Sequence, residues 1–440
     1  MFIDSHCHFF TKSILTDTTI SFIKAISRRT PVGNAKGTLK NIEMENFIAF
    51  IDAGIESTPK KIYTDMALSY EEDFIAVPKM LDLSYASHPS TDEEISPDTY
   101  DRNKRLLVRF LHSKETASNE GVINSIISRL NGYTLLLGNN KTYFTKSLFT
   151  QINELVEVKN TFQDRVFPFF SVDPRHTEIE GGILNLIKAY VGRDKPFIGL
   201  KLYTPLGYSP TDPSLYNSDR QVETVYQWCE KNQIPVTVHF SDQGFSNLLN
   251  NHVIEGHVYL PEAGRPVLAK DLYDDNIIKY KSSFPTLKYE EFVKERAISL
   301  NHPSLWRMVL EQYPKLKLNF AHFGGSRQIL MYLNNSSLAY WTKSVIEMMG
   351  DYQNVYSDLS CFDTPNQSYV PVRDFYEKVY LSLKKDERDR VLYGSDYFML
   401  VLFEKNLGSY LKKFKKGFSK EFRHISLENP ANFLNLKGIR

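Results

Sequence analysis

The chain has 440 residues, 42% of them apolar and 13% aromatic, a composition that predicts a folded protein with a large core and excludes a disordered one. Its 53 basic and 52 acidic residues leave a formal charge of +1, so no overall field favours nucleic acid or an anionic membrane. Three cysteines provide no disulfide framework and favour a reducing compartment. Neither a signal peptide nor a run of about 18 apolar residues is evident, so we expect a cytoplasmic protein.

Short apolar runs alternate with longer amphipathic stretches along most of the chain, a pattern typical of a parallel sheet built from βα units. Eight strands are predicted, at 1–6, 61–68, 165–172, 196–203, 234–240, 316–323, 354–360 and 390–396. Helices are predicted at 146–162, 178–192, 219–232, 303–313, 326–350, 370–386 and 402–416, with a closing helix at 429–434. This series predicts an α/β fold, a (β/α)8 TIM barrel formed by residues 1–440 as one domain.

Two long stretches interrupt the repeat, residues 69–145 after the second predicted strand and residues 241–302 after the fifth. Both follow the carboxyl end of a strand, which is the face of a barrel where loops build the active site. We therefore expect these insertions to form lids or walls that select the substrate. Packing or oligomer contacts are the alternative.

Candidate metal ligands stand at the ends of several predicted strands. His6 and His8 close the first strand at positions i and i+2, which point to the same side, so two imidazoles can reach one ion. His239, His322 and Asp396 each close another predicted strand. A core histidine bonded to backbone is the alternative at each position. The convergence of all five on one face of a barrel predicts a divalent metal site.

The motifs around these positions resemble the amidohydrolase superfamily, particularly its amidohydrolase-2 branch. The branch contains hydrolases, lactonases and non-oxidative decarboxylases on a TIM barrel. The matching segments are DSHCHFF (4–10), GLKLY (199–203), PVTVHFSDQG (235–244), NFAHFGG (319–325), NVYSDLS (354–360), YGSDYF (393–398) and ENPANFL (428–434).

The resemblance implies a role for each candidate ligand. His6, His8 and His239 would bind the metal, and Asp396 would either bind it or accept a proton from its water. His322 would bind a second metal or orient water and substrate. The chemistry agrees, because a divalent metal lowers the pKa of bound water to about 7 and a nearby carboxylate can take the proton. Zinc is the favoured ion, although manganese, iron and cobalt suit the same ligands.

Lys201 closes the fourth predicted strand, where binuclear members of the superfamily carry a carbamylated lysine that bridges two metals. A lysine near a metal is also pushed towards the neutral form that takes up carbon dioxide. A cationic clamp for a substrate carboxylate and a structural ion pair are the other two interpretations. One metal ion is favoured, and two are expected if Lys201 is carbamylated.

Other residues are assigned to the substrate or to support. Arg175 and Tyr203 are candidates for binding a polar or anionic substrate, with a salt bridge at the barrel rim as the alternative. Arg327 lies near a predicted helix start, where an anion could also bind. Asp65 and Asp358 are expected to orient ligand histidines or to fix loops.

Most of the remaining histidines are predicted at the surface, and the place of His176, which directly follows the third predicted strand, stays open. No phosphate-binding loop is expected after the glycine pair of NFAHFGG, because no GxxxxGK[ST] follows it.

The favoured function is hydrolysis of a C–N or C–O bond in an amide, ester or lactone by a metal-activated water. The alternative is non-oxidative decarboxylation of an aromatic or unsaturated carboxylic acid at the same site. A barrel that only binds or scaffolds, and a phosphoester hydrolase, are further possibilities. The expected partner is a small-molecule substrate, with no nucleic acid or membrane, and a homodimer would be typical of such a barrel.

Overall fold

The structure is a computed structural model, and it describes residues 1–11, 57–83, 85, 140–176, 179–219, 222–247, 251–272, 277–279, 289–362, 370–402 and 406–436. Most of the insertion predicted at 69–145 lies outside these residues, as does part of the one predicted at 241–302.

Twelve strands are formed by the described residues: β1 (Phe2–Cys7), β2 (Phe74–Pro78), β3 (Phe169–Val172), β4 (Gly199–Leu202), β5 (Val236–Val238), β6 (Asn251–Val253), β7 (His257–Leu260), β8 (Arg265–Leu268), β9 (Ile277–Lys279), β10 (Leu318–Phe320), β11 (Val355–Asp358) and β12 (Val391–Leu392). The helices in the same ranges are α1 (Pro59–Tyr70), α2 (Asn140–Phe162), α3 (Gly182–Tyr190), α4 (Val225–Asn232), α5 (Ala269–Leu272), α6 (Tyr289–Asn301), α7 (Pro303–Gln312), α8 (Ser326–Leu333), α9 (Tyr340–Asp351), α10 (Val372–Lys378), α11 (Lys385–Arg388), α12 (Leu407–Gly417) and α13 (Asn429–Phe433).

Eight parallel strands form the barrel. β3, β4, β5, β10, β11 and β12 make one parallel sheet in that order, and β1 pairs with β2. Parallel bridges such as Lys79 with Phe169 connect β2 to β3. At the other edge, the Ser5 amide donates to the Tyr393 carbonyl just beyond β12 (3.1 Å). These contacts close the ring, and the predicted TIM barrel is confirmed.

The strand predicted at 61–68 is wrong, because these residues belong to helix α1. The Thr58 side chain accepts from the Lys61 amide (3.2 Å) and Pro59 occupies the first turn, both typical of a helix start. The buried side chains recur at helical spacing: Ile62, Tyr63, Met66 and Tyr70. The second strand is instead β2, the apolar run FIAVP, so the first insertion begins after Pro78.

The other seven predicted strands and the closing helix are confirmed, with shorter bounds. The single helix predicted at 326–350 is two helices, α8 and α9. The second insertion contains two small antiparallel pairs, β6 with β9 and β7 with β8. None of the helices in the described ranges is both long and apolar enough to span a bilayer.

The inner side chains of the barrel change from apolar to polar towards the carboxyl ends of the strands. The lower layer comprises Ile3, Ile75, Val77, Phe169, Tyr356 and Leu392, and it packs against Leu427 and against Phe433 of the closing helix α13. On β1 the register with β2 shifts between Asp4 and Cys7, and Cys7 packs in the core outside the barrel. This bulge turns His6 and His8 to the inner side, above the apolar layer.

Candidate metal centre

His6, His8 and Asp396 meet at the carboxyl ends of β1 and β12. One oxygen of Asp396 lies 3.2 Å from His8 Nε2 and 3.7 Å from His6 Nε2, and the three ligand atoms lie within 4.8 Å of one another. All three residues are buried. The Asp396 amide also donates to the His6 carbonyl (2.7 Å), which ties the end of β12 to β1. Two predicted ligands from one strand and one from its neighbour are thus brought together.

The other ring nitrogen of each histidine is anchored. His6 Nδ1 donates to Asp358 (2.9 Å), and His8 Nδ1 donates to the carbonyl of Lys79 (2.8 Å). Because carboxylate and carbonyl oxygens only accept here, both rings carry their proton on Nδ1, and both Nε2 lone pairs face Asp396. An anchored Nδ1 with the Nε2 lone pair turned towards the centre is the arrangement of metal-binding histidines, so these residues fit a divalent ion.

The charge states suit metal binding as well. Burial, followed by the charge of Lys201, lowers the pKa of His6 to about 3, and burial also lowers the pKa of His8, so both rings stay neutral. Burial alone would raise the pKa of Asp396, but the neighbouring histidines, His8 first among them, hold that pKa below its usual value. Neutral imidazoles beside an ionised carboxylate are the forms that bind a divalent cation.

Asp358 orients His6, as expected from the sequence. It is fully buried at the end of β11, and besides His6 it accepts from the Asn319 side chain (2.7 Å) and the His322 amide (3.0 Å). Burial would raise its pKa, but the interaction with His6 holds that pKa well below the usual range. Asp65 does not share this role, because it lies on the exposed side of α1 and pairs with Lys61.

Lys201 lies next to His6. Its side chain is 1% exposed, and its amine donates to His6 Nε2 (3.3 Å). Burial lowers its pKa to about 8. It forms no ion pair with the carboxylates of the described residues, so the structural ion pair considered above is not found within that part of the chain. The clamp and the carbamate both remain predictions.

His239 lies beside the centre but outside the group of three. Its Nε2 donates to the carbonyl of Gln243 (2.8 Å), and its ring stacks on Tyr203 with centroids 4.0 Å apart. The Tyr203 hydroxyl in turn accepts from the Phe245 amide (2.7 Å). The loop after β5 therefore holds both rings, and His239 can offer a metal only its Nδ1.

His322 joins His6 and Asp358 in a second set of ligand atoms within 4.8 Å. Its Nδ1 donates to the carbonyl of Ser360 (3.2 Å), which leaves Nε2 open. His322 (φ 66°) and Asp396 (φ 57°) both have left-handed backbones. Strain of this kind recurs at functional sites, where the surrounding structure maintains it.

Arg175 and Arg327 are both paired with acidic residues of this chain. Arg175 makes a bidentate contact with Asp173 (2.8 and 2.5 Å), and Arg327 is hydrogen-bonded to Asp242. The salt bridge at the rim is therefore present at both positions. Their contact with a substrate, like that of Tyr203, stays a prediction.

Several residues at this face were missed in the sequence. His176, whose place the sequence left open, is buried and hydrogen-bonded to Asp82. Cys361 lies just beyond β11, and burial followed by the charge of Asp396 raises the pKa of its thiol well above the usual range. Lys79 directly follows β2, and burial together with the charge of Lys201 holds its pKa well below the usual range. The signal for Lys79 was its place after the run FIAVP, which was not recognised as a strand.

Replacing Gly244 by alanine is expected to disturb the site without unfolding the protein. Gly244 has φ 105°, and an added Cβ would lie 2.4 Å from the Tyr203 hydroxyl and 2.8 Å from His239 Cε1. The loop must shift, and a displacement of about 1 Å near a reacting group can lower the rate by about 10²-fold. We expect kcat/KM to fall at least tenfold, by order of magnitude, in steady-state kinetics.

The matched control is Gly264→Ala. Gly264 also has a positive φ, but an added Cβ would meet nothing within 4 Å. Because both glycines have a positive φ, we expect Gly264→Ala to lose about as much folding stability as Gly244→Ala. Its kcat/KM should equal that of the wild type. Equal loss of activity in both variants would contradict the role given to the loop.

Known proteins were compared with this chain. The sequence profile of the amidohydrolase-2 family, described as Amidohydrolase, matches residues 139–436, more than half of the chain. No curated protein sequence matches it.

Three solved structures illustrate the likeness. A 2,6-dihydroxybenzoate decarboxylase from Rhizobium is 14% identical, with 99% of both chains covered and a TM-score of 0.39. A mutant 5-carboxyvanillate decarboxylase from Novosphingobium aromaticivorans, with bound manganese, is 10% identical, with 99% of this chain and 97% of that chain covered and a TM-score of 0.45. A probable 2-pyrone-4,6-dicarboxylic acid hydrolase from Acinetobacter baumannii is 12% identical, with 99% of both chains covered and a TM-score of 0.41.

Identities of 10–14% with TM-scores of 0.39–0.45 do not distinguish hydrolysis from decarboxylation in this chain. The family profile, by contrast, covers most of the barrel from α2 to the closing helix. The chain belongs to the amidohydrolase-2 family of TIM-barrel enzymes.

Proposed function

We propose that the protein is a metal-dependent hydrolase that cleaves a C–N or C–O bond of an amide, ester or lactone in a small molecule. The observation that carries the proposal is the trio His6, His8 and Asp396, with both Nδ1 atoms anchored and both Nε2 atoms facing the carboxylate. This donor set suits one divalent ion, and zinc is the favoured one. His239 would complete the set through Nδ1.

Asp396 and His322 would have different roles in hydrolysis. A divalent ion, when bound, supplies Lewis acidity that polarises a carbonyl and makes water a stronger acid. Asp396 would accept the proton of the attacking water, because its ionised carboxylate lies at the centre, whereas the carboxylate of Asp358 is engaged with His6. His322, with Nε2 open, would orient water or hold the carbonyl oxygen.

Two features support one ion over two. Asp358 accepts from His6 Nδ1, so these two groups are engaged with each other and not with a second ion. An unmodified Lys201 is a cation or a hydrogen-bond donor and cannot bridge two metals. Lys201 would then act as the clamp for an acidic group of the substrate.

Decarboxylation is the second candidate, and Lys201 is the observation that favours it. A buried lysine with no described carboxylate partner can hold the carboxylate that leaves as carbon dioxide. Asp396 or His322 would then deliver the proton to carbon.

Metal-loaded protein should be assayed against amides, esters, lactones and aromatic carboxylic acids in water enriched in oxygen-18. Hydrolysis predicts one label in the product acid and no carbon dioxide, whereas decarboxylation predicts carbon dioxide and no label. Inactivity of fully loaded protein towards the amides, esters and lactones would contradict the favoured function. The cytoplasmic location, the small-molecule partner and the homodimer expected from the sequence stay predictions.

A further inference from the structure

The loop after β5 contains a buried aspartate, Asp242, which has no part in the proposed chemistry. Its side chain is 0% exposed, whereas that of its ion-pair partner Arg327 is 23% exposed. One carboxylate oxygen accepts from Arg327 and from the Gln328 side chain (2.6 Å), and the other has no hydrogen-bond partner among the described residues. A buried charge is costly unless it is paired, so Asp242 depends on Arg327 for its compensating charge.

The partners of Asp242 belong to the neighbouring loop of the barrel. Arg327 and Gln328 lie in the first turn of α8, and the segment with His322 lies between β10 and this helix. Asp242 lies three residues after His239, beyond the end of β5. Because β5 and β10 are adjacent in the sheet, the ion pair joins the loop of His239 to the loop of His322.

Gln243 connects this ion pair to His239. Its carbonyl accepts from His239 Nε2 (2.8 Å). Its side-chain oxygen accepts from the Arg327 amide (3.2 Å), and its own amide donates to Ser241 Oγ (3.0 Å). The residue whose carbonyl holds the imidazole is therefore itself held by the start of α8 and by its own loop.

The main chains of the two loops are also in direct contact. Ser241 and Gly324 form a parallel bridge. Gly325 has φ 96°, and a Cβ added to it would overlap Ser241 Oγ and lie 3.4 Å from the side-chain oxygen of Gln243. A displacement of Arg327 and α8 is thus transmitted to the loop that holds His239, because the packing leaves no space between them.

The hydrogen bond from His239 to Gln243 decides which ring nitrogen can bind a metal. A carbonyl oxygen only accepts, so the ring carries its proton on Nε2, and the lone pair is on Nδ1. A ligand histidine is oriented, and its tautomer fixed, by the partner of its other ring nitrogen.

We propose that Asp242 and Arg327 are positioning residues for His239. Together they fix the Gln243 carbonyl that holds His239 Nε2, so that the lone pair of Nδ1 is presented to the ion. The inference rests on the proposed function, in which His239 completes the donor set through Nδ1. Arg327 then acts through His239 and not by contact with the substrate.

The test measures zinc affinity, by competition with a chromophoric chelator, in the wild type, Arg327→Met, His239→Ala and the double variant. Loss of the groups that orient a ligand histidine typically costs about 10- to 100-fold in metal affinity, so we expect Arg327→Met to weaken zinc binding by at least about tenfold. In the His239→Ala background the same change should cause no further loss. A general loss of structure would instead weaken zinc binding equally in both backgrounds.

Arg307→Met is the matched control. Arg307 pairs with Asp351 (2.8 Å) between α7 and α9, away from the two loops, so its loss should leave zinc affinity unchanged. If Arg327→Met does not fold, Asp242→Asn replaces it, since the amide keeps the shape of the carboxylate and the partly exposed arginine can reach solvent.

Nitrogen-15 NMR of the imidazole rings in metal-free protein provides a second measurement, with His239→Ala to assign the signals. We expect the wild-type His239 ring to carry its proton on Nε2, and Arg327→Met to mix the two neutral tautomers. Unchanged His239 signals in the folded variant, or an equal loss of zinc affinity in both backgrounds, would overturn the inference. Failure of the wild type to take up metal would overturn the proposed function alone, because the metal-free spectra still decide the role of the pair.

Discussion

Asp396→Asn is expected to lower kcat by about 10²- to 10⁴-fold, the range that a positioned general base contributes. The amide has the same shape as the carboxylate but cannot accept a proton from water at neutral pH. It also removes the charge that His6 and His8 face at 3.7 and 3.2 Å, so metal affinity should fall as well. Steady-state kinetics at saturating metal separates the loss of the base from the loss of metal affinity. Added metal refills the site of the variant, but it does not replace the carboxylate that accepts the proton.

Asp389→Asn is the matched control for this change. Asp389 is a partly exposed aspartate that pairs with His424 (3.1 Å), outside the candidate centre. Its replacement should change kcat by less than about threefold, as surface substitutions away from a site usually do little. A kcat for Asp396→Asn within threefold of the wild type, at full metal loading, would show that another group accepts the proton.

Lys201→Met is expected to stabilise the metal-free protein at pH 7 by up to about 3 kcal/mol, since one pKa unit corresponds to about 1.4 kcal/mol. The folded-state pKa of Lys201 is about 8, below the ordinary lysine value of 10.5. Between these two pH values the unfolded chain binds more protons than the folded chain, so this lysine makes wild-type stability rise with pH. Below pH 8 the folded protein carries the full cost of a buried charge.

Denaturant unfolding of wild type and Lys201→Met at several pH values from 7 to 11 measures this linkage. The advantage of the variant should shrink as pH rises from about 8 to about 10.5, because the wild-type amine becomes neutral in both states. The comparison uses a difference between two proteins, so the titration of other lysines and tyrosines cancels. An advantage that stays constant with pH would mean that Lys201 is not a buried titrating amine.

Much of the barrel was predictable because its strands are buried on both faces and read as apolar runs. The second strand was missed for a specific reason. KIYTDMAL contains β-branched and aromatic residues that favour a strand, but Thr58 and Pro59 begin a helix and the buried side chains follow its period. The true strand FIAVP is five residues long and lies just beyond. Missing it also concealed Lys79 and placed Asp65 at the wrong face.

The residues of the candidate centre could be predicted from the sequence where they stand at the ends of strands. His6, His8 and Asp396 converge because β1 and β12 are neighbours in the closed ring, which the chain order of a barrel implies. What sequence could not show is the hydrogen bonding of single ring atoms. The partner of His239 is a main-chain carbonyl in a loop, and any residue at position 243 would supply it.

The metal content of the purified protein tests the central claim most directly. Wild type, His8→Ala and His424→Ala should be loaded in turn with zinc, manganese, iron and cobalt, desalted and measured by elemental mass spectrometry. His424 is partly exposed and pairs with Asp389 and Glu428, so its variant controls for the loss of a histidine. We predict about one ion per chain in the wild type and in His424→Ala, and none in His8→Ala. A wild type that retains no ion, or a His8→Ala variant that retains as much as the wild type, would contradict the assignment of His6, His8 and Asp396 as a metal site.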